Sequence, residues 1–264
     1  MTTWEFWTTA WHWTPLSVST LTVGLAAVAW AVWRQRDKHP AKAYWLGAYL
    51  LLILAAASPL ATLSAGVLYS AHMAQHIILL LLVPLLATLA LHASSGTDEP
   101  PHPRLWLAAA GWISGVGAMW FWHEPSLCSL SVVSPGAQTG QMISLLLAGY
   151  IFWRPVWGPA SQRLDPAATV AYLFSACVAC TALGIYITFV PVTACPVFVH
   201  APADSAALQL VRGGWGLSAG ADQQLGGLLM WVPTCLIYLA SILAQFGRGY
   251  NPVPLEGAGA HPSK

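Results

Sequence analysis

The sequence predicts an all-α fold: a polytopic membrane protein, a seven-transmembrane-helix bundle with its N-terminus outside and its C-terminus inside. Three observations predict it. The 264 residues are 57% hydrophobic and 7% charged, whereas soluble domains carry roughly 25% charged residues. Seven apolar segments recur from end to end with short connections. When the chain is threaded back and forth through a bilayer, nine of its ten Lys and Arg residues fall on one side.

A helical span needs about 20 mostly apolar residues. The segments run approximately Pro15 to Trp33, Tyr44 to Leu60, Gly66 to Leu91, Leu105 to Trp122, Gly136 to Trp153, Ala167 to Val190 and Gln223 to Phe246. The second and fifth are slightly short. Residues 1–250 read as one membrane domain and 251–264 as a cytoplasmic tail. Basic residues are retained in cytoplasmic loops, which sets the orientation. Arg34, Arg36, Lys38, Lys42, Arg104, Arg154, Arg163, Arg248 and Lys264 then lie inside, and only Arg212 lies outside. The expected location is the plasma membrane of a bacterium, the inner membrane if Gram-negative, with lipid as the surrounding partner.

Indole rings favour the membrane interface. Trp30, Trp33, Trp45, Trp106, Trp153 and Trp157 fall near the inner interface, and Trp120 and Trp122 near the outer one. Trp4, Trp7 and Trp11 share a helical face and predict a short helix lying on the outer interface. A frayed aromatic tail is the alternative. Glu5 and the lack of a basic residue near it argue against a cleavable signal peptide. Of the connections, 92–104 (HASSGTDEPPHPR) reads as a flexible inner loop. The outer stretch 191–222 is long enough to cap a face or dock a partner, or to be a loose insertion.

Several functions are disfavoured. A net charge of +1 gives no electrostatic case for nucleic acid. There is no Walker loop, dinucleotide fingerprint or nucleophile elbow, so an enzyme is not expected. The nine acidic residues fall mostly in loops, unlike the buried carboxylate relays of many proton-coupled transporters.

Ionisable groups inside a bilayer are costly and usually functional. In SAHMAQHIILLLLVPLL, His72 and His76 are one turn apart and share a face, with Met73 between them. Two imidazoles one turn apart can chelate one metal ion, and a thioether shifts the preference towards copper. Hydrogen bonding to neighbouring helices accounts for the same histidines equally well. The fourth segment ends in MWFWHEP, which puts Met119 and His123 on one face at the outer mouth. The seventh begins DQQLGGLLMWVP, with Asp222 at that mouth and Met230 below it. His72, Met73, His76, His123 and Asp222 are therefore the candidate metal residues, with copper as the ion. Cys177 and Cys180 form a CxxC that either packs or binds Cu(I). Cys128 and Cys195 lie on the outer side, where a disulfide is open to them.

The AHMAQH run followed by a Pro-containing apolar helix, FWHEPSL, LLLAGYIFWRPVWGP and DQQLGGLLMWVPTCLIYLA occur in the order of a known family. Together they resemble the CtaG-type cytochrome c oxidase assembly proteins of the caa-type oxidase system. The resemblance covers most of 66–160 and 222–246. It implies a role in building a haem-copper oxidase by handling copper, with cytochrome c oxidase subunits as partners. His72, His76, His123 and Asp222 match the family's residue types. One departure marks a divergent member: where the family often has His-x-x-Glu-His early in the fifth helix, this chain has Gln138, Gln141 and Met142. An accessory oxidase subunit and a metal or small-ion transporter are the competing readings. The topology has a direct test. Single cysteines placed at Lys38 and Arg163 should resist an impermeant outer reagent, whereas those at Glu124 and Asp204 should react.

Overall fold

The computed structural model describes residues 2–34, 39–92, 105–191, 194–200 and 205–249. The expectations for the 92–104 loop beyond His92, for the 251–264 tail, and for Lys38 and Asp204 lie outside them. Every regular element among the described residues is helical. In chain order these are α1 (Thr3–Thr9), α2 (Pro15–Arg34), α3 (His39–Ala56), α4 (Pro59–Ser64), α5 (Tyr69–His92), α6 (Leu105–Trp122), α7 (Pro125–Val133), α8 (Pro135–Trp157), α9 (Pro166–Phe189), α10 (Ala206–Gln209) and α11 (Ala219–Gly249). Short turns at Ala160–Gln162, Pro196–Phe198 and Leu210–Gly214 complete the set. Five helices are long and apolar enough to cross a membrane: α2, α5, α6, α9 and α11. The two remaining predicted spans are also helices, α3 and α8, of 18 and 23 residues.

Four of the helix starts follow one local rule. A polar residue accepts from an early N–H, and a proline stands at the first helical position, where its missing N–H costs nothing. Ser58 with Pro59, Glu124 with Pro125, Ser134 with Pro135 and Asp165 with Pro166 open α4, α7, α8 and α9 this way. The rule also corrects the second predicted span. It stops at Ala56 instead of continuing to Leu60, because Ser58 and Pro59 start a new helix. The third span starts at Tyr69 instead of Gly66, which sits in the left-handed region at φ +97°. In α1 a Thr2–Glu5 capping box sets the start and the helix ends at Thr9. Trp11 therefore lies beyond the helix, stacked on Trp13 at 6.1 Å.

The centre of the bundle is α5, the most buried of the candidate spans. It packs against α3, α8 and α11, while α6 packs on α8 and α9 on α11. Pro84 cannot donate to the Leu80 carbonyl, and the helix answers with a π turn at Ile78–Leu82 in which the Val83 N–H reaches Ile78 O. The strip is closed by α8. The Trp153 indole donates to Leu81 O at 3.0 Å, and Gly149 lies against the Leu80 carbonyl with no room for a Cβ. Gly226 packs on Tyr69 and Met73, and Gly227 on Thr188. With Ala55, Ala56 and Ala57 buried, these small residues serve contacts within the bundle.

The two ends of the bundle differ. At one end, Phe6, Leu63, Leu68, Ala71 and Val211 form a small cluster beneath α1, and Trp215 donates to the Thr3 hydroxyl at 3.1 Å. At the other, Gln245 donates to Val156 O at 2.6 Å and Arg154 to Gln162 Oε1 at 2.6 Å. The close α5–α8 crossing makes a prediction: Gly149→Ala should cost about 1–3 kcal/mol through overpacking, read as a lower midpoint of thermal unfolding in detergent, whereas Gly140→Ala, which meets open space, should not.

Candidate functional site

The site is built on the first two turns of α5. Leu68 precedes that helix and provides no capping side chain. The cap comes instead from α11. Asp222, 1% exposed, accepts from the Tyr69 N–H at 2.8 Å, the Ser70 N–H at 3.0 Å and the Ser70 hydroxyl at 2.6 Å. A carboxylate at a helix N-terminus meets both free N–H groups and the positive end of the helix dipole. Asp222 is therefore buried and committed to the backbone of α5. It does not stand at an open mouth, and both of its oxygens are engaged away from the histidines.

Because α5 starts at Tyr69, His72 lies in its first turn, about 4–5 Å below its start at 1.5 Å rise per residue. His72 and His76 are both buried, with ring centroids 4.4 Å apart. His123, in the turn between α6 and α7, brings its ring to 5.0 Å from that of His76, edge to face. Its Nε2 lies 3.0 Å from Met73 Sδ. Four of the five candidate residues therefore meet, and Asp222 fixes the helix that carries three of them.

Hydrogen-bond chemistry decides where the ring protons are. His123 Nδ1 faces the Met119 carbonyl at 2.5 Å. A carbonyl only accepts, so Nδ1 carries the proton. In the neutral ring Nε2 is then a bare lone pair, aimed at a thioether that is itself only an acceptor. His72 is held in the same way by the backbone carbonyl of Ser64, and its buried Nε2 has no partner. Neither ring nitrogen of His76 has a hydrogen-bond partner, although Gln141 neighbours the ring. Imidazoles anchored through one nitrogen with the other left free are oriented as metal-ligating histidines are. The rings run in a chain from His72 through His76 to His123. Among the described residues, no three His, Cys, Asp or Glu side chains converge closely enough to hold an ion by themselves.

The segment that carries Phe198 closes one side of the site. Phe198 packs on His72 at 5.6 Å and on Tyr69 at 5.5 Å. It is brought there by the short turn that follows Cys195, which is disulfide-bonded to Cys128 of α7. Cys177 pairs with Cys235, not with its CxxC neighbour, which removes it from metal binding in this form. Cys180 is a buried free thiol, 3.4 Å from Met119 Sδ. Outside the spans, Ser126 and the Leu127 N–H hold the Glu124 carboxyl below its usual range.

Sequence reasoning missed Ser64, Ser70 and Phe198. Ser70 had a signal: the missing cap at Leu68 requires a remote acceptor. The backbone carbonyl of Ser64 and the ring of Phe198 carry no local signature.

A family model for the cytochrome c oxidase caa3 assembly factor (Caa3_CtaG) matches residues 25–251. The chain belongs to this family. Its apolar helices and this membership make it a multi-pass membrane protein, and the departure at Gln138, Gln141 and Met142 lies inside the matched region. An uncharacterised protein of Mycobacterium leprae is 26% identical over 231 residues, covering 77% of this chain and 34% of the relative. The chain thus spans about a third of that relative's length. No solved structure matches.

The cap makes a prediction. Asp222→Ala should destabilise by about 2 kcal/mol, the scale of charged hydrogen bonds and N-caps, and Asp222→Asn by less, measured as thermal unfolding in mild detergent.

Proposed function

We propose that this assembly factor holds copper transiently in the His72–Met73–His76–His123 group and passes it to a haem-copper oxidase under construction. Copper is the cargo in this reading, not a resident cofactor. The observation that carries it is the pair of lone-pair donors, His123 Nε2 and Met73 Sδ, facing each other at 3.0 Å with no proton to share on two buried side chains. Two buried acceptors in contact leave each other unsatisfied, and a soft cation bound to both, with the two atoms moved apart to admit it, would satisfy them. A free nitrogen on His72 and, one turn deeper, those of His76 extend the donor set. A ligand set without a carboxylate, and held partly by thioether, binds weakly enough to release the ion by ligand exchange.

The same reading takes α3 and α8 as spans, giving seven, and places the Phe198-covered end on the outer face of a bacterial plasma membrane. The basic residues support that orientation. Entry of the ion requires Phe198 to swing from His72, and the oxidase subunit that receives the ion docks at the same end.

The test is metal analysis of protein purified in mild detergent and loaded with Cu(I). His72→Ala with His76→Ala should abolish copper binding, and Met73→Leu should weaken it by about tenfold or more. Deletion of the protein should lower oxidase copper and activity, with added copper restoring part of both. Full copper retention by the double variant would overturn the metal reading. One copy of the chain remaining on each oxidase through purification, with normal oxidase copper in its absence, would establish a permanent subunit instead.

A further inference from the structure

One turn deeper than His123, a second set of soft donors is sealed in the bundle. Met119 precedes His123 by one turn on α6, and its Sδ lies 3.4 Å from the Sγ of Cys180 on α9. The Tyr238 hydroxyl of α11 is 3.9 Å from the same Sγ, a long contact. All three residues are buried. Thr234 stands at the same height. Cys177 is bonded to Cys235 and Gly184 packs on Trp231, so these pairs bracket Cys180 on α9 and Thr234 on α11. Thr234 is 0% exposed and its hydroxyl has no hydrogen-bond partner. It shares a helix face with Tyr238, one turn on. A thiol is a weak donor and a thioether a weak acceptor, so the contact between the two sulfurs satisfies neither well.

We propose that Cys180 and Met119 form a second station for Cu(I), reached through the histidine group, with the Thr234 and Tyr238 hydroxyls at its edge. Thiolate and thioether are soft donors and suit that ion. The geometry is close to what it needs. Tetrahedral sulfurs on metal–sulfur bonds of about 2.3 Å stand about 3.8 Å apart, so the two have to separate by only about 0.4 Å. Charge decides the oxidation state, because one thiolate neutralises a monovalent ion, whereas a divalent ion would leave a net charge in an apolar interior at high cost. Binding replaces the Cys180 S–H bond with an S–Cu bond. The copper stays monovalent, and the proton is released to solvent. The histidine group offers only neutral donors, so the first position exchanges its ion and the second retains it. This inference rests on the copper reading of the histidine group, because a fully buried thiol is reached only through it.

The test is copper counting and X-ray absorption on the full chain in mild detergent, loaded without oxygen with Cu(I) and ascorbate, which leaves the disulfides intact. The wild type should hold two ions per chain. Cys180→Ser should hold one and lose the copper–thiolate scattering. Met119→Leu, a substitution that conserves volume, should weaken the second ion by about tenfold, the scale of losing a supporting metal contact, and carries the test alone if Cys180→Ser does not fold. Both ions should be absent from His72→Ala with His76→Ala. A single ion in the wild type, indifferent to Cys180→Ser and Met119→Leu but lost with the histidines, would overturn the second station, leave the first standing and make Cys180 a packed thiol. An ion kept without the histidines and lost in Cys180→Ser would overturn the histidine reading and keep this station. A wild type that takes up no copper would overturn both.

Discussion

The bond between Asp222 and the first turn of α5 is the constraint on which the site depends. It joins residues 152 positions apart in the chain, in an environment where an unpaired carboxylate would be very costly. By fixing the first turn of α11 to the first turn of α5, it sets the axial register of the two helices. Gly226 lies one turn further along α11 and admits Tyr69 and Met73 against the backbone. The depth of Met73, and with it of His72 and His76, follows from that register. A slip of one residue would rotate the histidines by about 100° on a helix of 3.6 residues per turn.

The rest of α5 is held by a different device. Pro84 breaks the regular ladder, the π turn absorbs the break, and α8 takes up the exposed carbonyl strip with Gly149 and Trp153. The upper part of the helix is thus set by a charge and the lower part by steric fit. His76 lies at the junction, beside Gln141 of α8. Gln141, one of the residues read from the sequence as departing from the family resemblance, is next to His76.

Hydropathy alone made the long helices legible, because a bilayer requires length and apolarity of each span. The boundaries were less so. The break at Ser58–Pro59 is a local signal that an averaged apolar run conceals, and the same polar–proline pair recurs at three more helix starts. The meeting of His72 and His76 was legible from helical spacing, and His123 from its depth. Asp222 was legible as a site residue but not in its role, because that role depends on what Leu68 lacks and on which helix lies beside α11. The partner of Cys177 was hidden for the same reason: Cys180 is nearer in sequence, but Cys235 of the adjoining helix is nearer in space.

The Cys177–Cys235 bond has a mechanical consequence. It closes a ring of chain across α9 and α11, so those two helices form a stiff frame against which other parts can be displaced. Cys128 and Cys195 tether the Phe198 turn to α7 in a similar manner. Neither crosslink runs between α5, which carries His72, Met73 and His76, and the turn that carries His123. The three imidazoles and the thioether therefore belong to two jaws of a clamp with a covalently braced back and a noncovalent bite, an arrangement that can open without breaking a bond.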